Sequence, residues 1–122
     1  MLAIDKLSRI PIYEQIIEGI KREILTDVLK SGDMLPSVRE LALVISTNPN
    51  TVQKAFAELE SAGIAVSSPG IGRYVSENAK EILMNMLKSR MGELEELVLA
   101  LKKGGVSMEE IESTVRKVYE SE

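Results

Sequence analysis

Asn50, Gln53 and Lys54 sit at the start of a stretch with helical character, directly after Asn48-Pro49. Carboxamides and an ammonium near a helix N-terminus suit one chemistry above others. They hydrogen-bond the edges of nucleobases, an amide pairing with adenine and a cation with guanine or phosphate. The chain has no cysteine and no histidine, which removes disulfides, thiolate sites, and the usual metal ligand and general base. A carboxylate-only enzyme would need a Gly-rich phosphate loop or a nucleophile motif, and neither is present. No catalytic residue, no metal site and no cofactor is therefore expected.

The elements that must position these groups run from Ser37 to Ala62. Ser37-x-x-Glu40 is a capping box that starts a first helix, and Asn48-Pro49 pairs a preferred N-cap with a proline suited to the first helical position. On the first helix Val38, Leu41, Ala42 and Ile45 face one way. On the second, Val52, Ala55, Phe56 and Leu59 do the same, leaving Asn50, Gln53, Lys54 and Ala57 on the opposite face. Two short amphipathic helices with a tight turn between them predict a helix-turn-helix.

At 122 residues the chain is one domain or one small domain with an appendage. It has no long apolar run and no secretory start, so no membrane partner is expected and a cytoplasmic, nucleoid-associated location is. The net charge of −4 opposes nucleic-acid binding. Residues 1–76 hold eight cations against nine anions (net −1), and residues 77–122 hold seven against ten (net −3). A duplex partner would require the cations to concentrate on one face.

Along the chain, residues 1–10 read as a partly ordered arm, with a strand or a phosphate-touching arm as alternatives. Pro11 opens a helix to about Val28, its core stripe formed by Ile12, Ile16, Ile20 and Ile24 with Ile17 and Leu25. Gly32 is placed for a turn, and Met34-Leu35 leaves room for a very short strand before Pro36. After Gly63, residues 64–67 and 73–76 predict a hairpin around Ser68-Pro69-Gly70-Ile71-Gly72. A helix-turn-helix followed by such a hairpin is a winged helix. The glycines would let the wing tip approach a phosphate or minor groove, or would only shape the turn.

From Glu77 to about Lys103 the pattern predicts one long helix whose seam comprises Leu83, Leu87, Met91, Leu94, Val98 and Leu101. Gly104-Gly105 breaks it. Ser107-x-x-Glu110 is a second capping box, opening a last helix to about Tyr119 with Ile111, Val115 and Val118 on its stripe. So small a helical hairpin is marginal alone, which favours a homodimer over folding back. The expected organisation is a winged helix-turn-helix over 1–76 and a two-helix dimerisation tail over 77–122. The class is mostly α with a small antiparallel β wing.

The sequence resembles the GntR-family transcriptional regulators of the short YtrA-like branch. The residues that carry the likeness are Pro11-Ile12-Tyr13-x-Gln15-Ile16, Gly32-Asp33-x-Leu35-Pro36-Ser37-x-Arg39-Glu40-Leu41-Ala42 and Asn48-Pro49-Asn50-Thr51-Val52. Leu59-Glu60-x-Ala62-Gly63-Ile64 and Gly70-x-Gly72-x-Tyr74-Val75 complete them. The resemblance implies a regulator, usually a repressor, that binds a pseudo-palindromic double-stranded DNA operator as a dimer. It also implies contacts from Ser37, Arg39, Asn48, Asn50, Thr51, Gln53 and Lys54, and from Gly70 at the wing tip. Relatives carry basic residues just before the tip, where this chain has Ser67, Ser68 and Pro69, so weaker minor-groove contact is expected, with Arg73 the nearby cation. Arg39, Lys54 and Arg73, doubled by a dimer, give about six charge contacts and a log–log salt slope of about −5. The alternative is a winged-helix protein-interaction module without DNA binding. The sequence marks no effector pocket, but leaves room for a small-molecule effector between tail and winged helix.

Overall fold

The computed structural model describes residues 2–121; the parts of the expected arm and tail at Met1 and Glu122 lie outside the described residues. The chain divides into two units, Met1–Asn85 and Met86–Glu122. In the first, α1 (Ile12–Leu25) buries the expected stripe through Ile16, Ile17, Ile20 and Ile24. It ends short of Val28 because Asp27 adopts a left-handed φ of 62°. The amides of Asp27 and Val28 then turn back to the carbonyls of Ile24 and Glu23. Gly32 belongs to the following turn, where its amide donates to the Val75 carbonyl at 2.8 Å.

Helix α2 (Val38–Val44) begins with the complete capping box: the Ser37 hydroxyl oxygen accepts from the Glu40 amide, and the Glu40 carboxylate accepts from the Ser37 amide. It ends by the same device as α1. Ser46 sits at φ 50°, and the amides of Ser46 and Thr47 donate to the carbonyls of Leu43 and Ala42. That reversal is the turn of the helix-turn-helix. It delivers Asn48, whose side-chain oxygen accepts from the Asn50 amide at 2.8 Å and caps α3 (Pro49–Ser61).

The core forms where α3 lies against α1 and α2. Val52, Ala55, Phe56 and Leu59 are buried on α3 and Leu41 and Ala42 on α2, and Leu35, Ile64, Ala65 and Val75 close the wing side. Phe56 is the largest fully buried side chain. The wing pairs β1 (Ala65–Ser68) antiparallel with β2 (Gly72–Val75), Ser67 standing opposite Arg73. The expected third strand shrinks to a single bridge, Met34 with Tyr74. At the tip, Ile71 N donates to Ser68 O around Pro69 and Gly70, a type II turn that requires the φ of 76° at Gly70. Gly72 has φ 124°, and a Cβ there would lie 3.0 Å from the Met34 methyl carbon. Its role is to shape the hairpin.

The arm is more ordered than the sequence suggests. Gln15 clamps it, its amide nitrogen donating to the carbonyls of Asp5 and Ile10 while its oxygen accepts from the Asp5 amide. The Lys6 ammonium donates to the Ser46 carbonyl at 2.6 Å, and Leu2 and Ile4 pack against the core.

The long helix expected over 77–103 is instead two. α4 (Ala79–Lys88) and α5 (Met91–Lys103) are separated by a turn at Ser89 and Arg90. The Ser89 hydroxyl donates back to the Met86 carbonyl at 2.6 Å, and Arg90 N donates to Leu87 O three residues behind it. The ladder thus tightens to a three-residue step and breaks there. Ala79 and Leu83 of α4 are buried in the first unit's core. In the second unit, Gly104 and Gly105 end α5 as expected. α6 (Met108–Glu120) starts with half of the expected capping box, the Ser107 oxygen accepting from the Glu110 amide at 3.2 Å. Neither α5 nor α6 buries a residue fully.

Replacing Phe56 by Ala should cost roughly 3–5 kcal/mol of unfolding free energy, because the ring has packed neighbours on all sides. Urea titration followed by circular dichroism measures it. A loss under about 1 kcal/mol would mean that the core can collapse around the gap.

Candidate nucleic-acid interface

α3 has two faces, and burying one determines what the other presents. With Val52, Ala55, Phe56 and Leu59 inside, Asn50, Gln53, Lys54 and Ala57 are exposed. The Asn50 carboxamide has no hydrogen-bond partner among the described residues, so both its donors and its acceptor are open to a ligand. Asn48 is exposed too, but its side-chain oxygen is engaged by the cap, which leaves its amide hydrogens to donate. Thr51 is half-buried, and its hydroxyl forms no cap bond.

Arg39 projects from the first turn of α2, exposed and without an ion pair among the described residues. The nearest sequence anion, Glu40, is drawn back onto the Ser37 amide. That same bond occupies the Ser37 amide, so of the contact groups expected at Ser37 the hydroxyl hydrogen remains. Ser37 and Gly70 border one open cleft of about 850 Å³ between the start of α2 and the wing. The backbone at Gly70 faces open space, as nothing lies within 4 Å of a Cβ placed there.

The two remaining cations differ from each other. The Lys54 ammonium stands 3.8 Å from the centre of the Tyr13 ring, an aromatic platform that holds it beside the start of α1 while leaving it exposed. Arg73 is turned inward. Its Nε donates to the Glu60 carboxylate, its guanidinium carbon lies 5.2 Å from the centre of the Phe56 ring, and its side chain is only 20% exposed. Its Nη2 donates to the Gln53 side-chain oxygen at 3.3 Å. Glu60 accepts a second bond from the Ser67 hydroxyl. The Ser67 hydroxyl, followed by the Arg73 guanidinium, holds the Glu60 carboxyl below its usual range, against an opposing push from partial burial.

Sequence periodicity placed Asn50 and Lys54 on the exposed face of α3 and the family resemblance singled out Arg39, but neither found the bond between Gln53 and Arg73. Tyr13 as the seat of Lys54, Glu60 as the partner of Arg73, and Lys6 on the helix-turn-helix reversal were also missed. The only advance signal was the opposite sign of Glu60 and Arg73, which without the hairpin register pairs them with no more force than with any other charges. The tail residues Leu87, Met91, Leu94, Val115 and Val118 are exposed, and Val98, Leu101 and Ile111 are partly covered. Leu83 stands apart from the rest of the seam, at 3% exposure in the first unit's core.

The sequence pattern described as "Bacterial regulatory proteins, gntR family" matches residues 12–75. Among curated proteins, the HTH-type transcriptional repressor YtrA of Bacillus subtilis (strain 168) is 44% identical over 122 residues, covering 97% of this chain and 92% of that protein. Among solved structures, a transcriptional regulator from Oenococcus oeni aligns with a TM-score of 0.75 at 35% identity, covering 98% of this chain and 99% of its own. YtrA from Sulfolobus acidocaldarius, described as a GntR-family transcription factor, aligns with a TM-score of 0.60 at 34% identity, covering 74% of this chain and 95% of its own.

The depressed Glu60 carboxyl makes the wing acid-sensitive. Its stabilising share is fully present above the unfolded value of about 4.3 and is lost as pH falls through the lower folded value. Between about pH 5 and pH 3 the wild type should therefore lose more stability than Glu60→Gln, which has no carboxyl to protonate. Parallel thermal melts across that window test this, and equal losses would contradict it.

Proposed function

This chain belongs to the gntR family of bacterial regulatory proteins, and we propose that it acts as a homodimeric repressor on a pseudo-palindromic DNA operator. Members of the family are transcriptional regulators and not enzymes, and this chain is a DNA-binding regulator built on a winged helix-turn-helix. The observation that carries the finer reading is the exposed N-terminal face of α3. Asn50 presents a free carboxamide, Lys54 a seated cation, and Arg39 a third group with no partner among the described residues. In this reading Asn50 reads a base edge in the major groove, and Arg39 takes a base edge or phosphate. Lys54 neutralises backbone charge, while the amide hydrogens of Asn48 and the hydroxyls of Ser37 and Thr51 settle the register on phosphates. Gly70 lets the wing-tip backbone approach the minor groove.

An acidic chain binds a duplex this way because local charge, not the total, meets the phosphates. The second unit supplies the doubling. With no residue of α5 or α6 fully buried, their apolar faces need a partner, and a second copy offers the same faces in reverse. Leu87, Met91, Leu94, Val98, Leu101, Ile111, Val115 and Val118 form that clasp in this proposal; Leu83 anchors α4 to the first unit instead. No helix among the described residues is long and apolar enough to cross a membrane. The proposed place of action is the cytoplasm, at the nucleoid.

Removing Arg39 or Asn50 by alanine substitution should weaken operator binding roughly 30-fold or more. Each contact disappears from both half-sites at about 1–3 kcal/mol apiece. The melting temperature should move by only a few degrees, and an unchanged gel-shift titration would count against the assignment. With Arg73 engaged internally, two cations per protomer rather than three remain, so the salt slope should be about −4. Leu94→Glu combined with Val115→Glu should sediment as a monomer and bind the operator about 100-fold more weakly; a dimer that survives both charges would exclude the clasp.

A further inference from the structure

Gln53, Phe56 and Glu60 lie along one side of α3, and a single guanidinium from β2 engages all three. Arg73 is anchored to Glu60, which also accepts from Ser67 on the opposing strand, and lies over Phe56 at the centre of the core. One of its remaining donors, on Nη2, reaches the Gln53 side-chain oxygen at 3.3 Å. An arginine has only hydrogens to give, so the atom of Gln53 that meets it must be the amide oxygen. The carboxamide is thereby oriented, with its oxygen toward the wing and its amide hydrogens outward.

We propose that Arg73 is a positioning residue for base recognition. It presents Gln53 to the duplex by its amide hydrogens and so sets a preference for guanine or thymine over adenine at the base pair Gln53 reads. This rests on the operator-binding reading above and deepens it. A free glutamine pairs with adenine by accepting from N6 and donating to N7 at once. The oxygen keeps a second lone pair, but Arg73 draws it toward the wing, so in this pose it does not face the N6 of a base that takes the amide hydrogens. Guanine offers the amide hydrogens two acceptors, N7 and O6, and thymine offers O4 beside a methyl group, whereas adenine offers N7 but sets its N6 donor against them. Cytosine presents a donor to a donor and is rejected. Arg73 itself keeps its charge on Glu60 and makes no phosphate contact.

The test is selection from a pool of random-sequence duplexes, followed by titration of single-base variants of the winning site at several salt concentrations. The wild type should favour guanine or thymine at one position in each half-site by about tenfold over adenine, and Gln53→Ala should flatten that position alone. Arg73→Lys keeps the charge but cannot stack on Phe56, hold Glu60 and reach Gln53 together. It should shift the preference at that position to adenine and leave the salt slope unchanged. Where Arg73→Lys fails to fold, as judged by its thermal melt, Glu60→Gln decides. It releases the anchor and should move the same position in the same direction. A wild-type preference for adenine there overturns the inference, as does a base preference that neither Arg73→Lys nor Glu60→Gln alters. A slope shallower by about two per dimer in Arg73→Ala also overturns it, since that would place the guanidinium on phosphates. If the wild type selects no duplex at all, the operator-binding reading falls and the inference with it. Selection that persists with an unaltered preference sinks the inference alone.

Discussion

The burial of one face of α3 against α1 is the constraint on which the first unit depends. Val52, Ala55, Phe56 and Leu59 occupy the interior completely or nearly so, and the stripe of α1 isoleucines is their counterpart. Once that seam is closed, α3 has no rotational freedom left. A helix with a 3.6-residue period must then turn Asn50, Gln53 and Lys54 outward. The wing is fastened to the same helix through Phe56, since the ring that fills the core also carries the guanidinium of Arg73. Core packing and the attachment of the wing to α3 are in this way coupled through a single side chain.

The second organising feature is how the unit's charges are disposed. An overall acidic protein cannot rely on a broad positive field, and here two of the unit's anions are engaged by its own groups. Glu60 is bonded to Ser67 and Arg73, and Glu40 turns back onto the Ser37 amide. The cations are treated unequally. Arg39 is free of ion pairs among the described residues, Lys54 rests on Tyr13, and Arg73 is internal. The exposed face then presents Arg39 and Lys54 beside the neutral side chains of Asn48, Asn50 and Gln53.

The helix ends show how local chemistry enforces the turn that everything else needs. Two reversals use non-glycine residues in the left-handed region, Asp27 and Ser46. Such backbone costs about 1–2 kcal/mol per residue and persists because the surroundings require it. At Ser46 the surroundings include Lys6, whose ammonium sits on the Ser46 carbonyl and ties the N-terminal arm to the helix-turn-helix. The arm is therefore part of the scaffold, held by Gln15 on one side and by Lys6 on the other.

Much of this was legible in the sequence alone, because period, caps and breakers act over a few residues. The isoleucine stripe of α1, the Ser37-Glu40 box, the Asn48-Pro49 start and the Gly63 stop all did in three dimensions what their spacing implied. The exposed positions of Asn50 and Lys54 followed from the same periodicity. Tertiary structure decided whatever depended on partners distant in the chain. Arg73 is separated from Gln53 by twenty positions, and only the hairpin register brings the guanidinium to Glu60, Phe56 and Gln53 together. Leu83 fits a heptad seam equally well by spacing, yet packing places it in the first unit's core. Local hydrogen bonding is written in neighbouring residues; which of several equivalent charges or leucines meets which surface is settled only when distant segments close on one another.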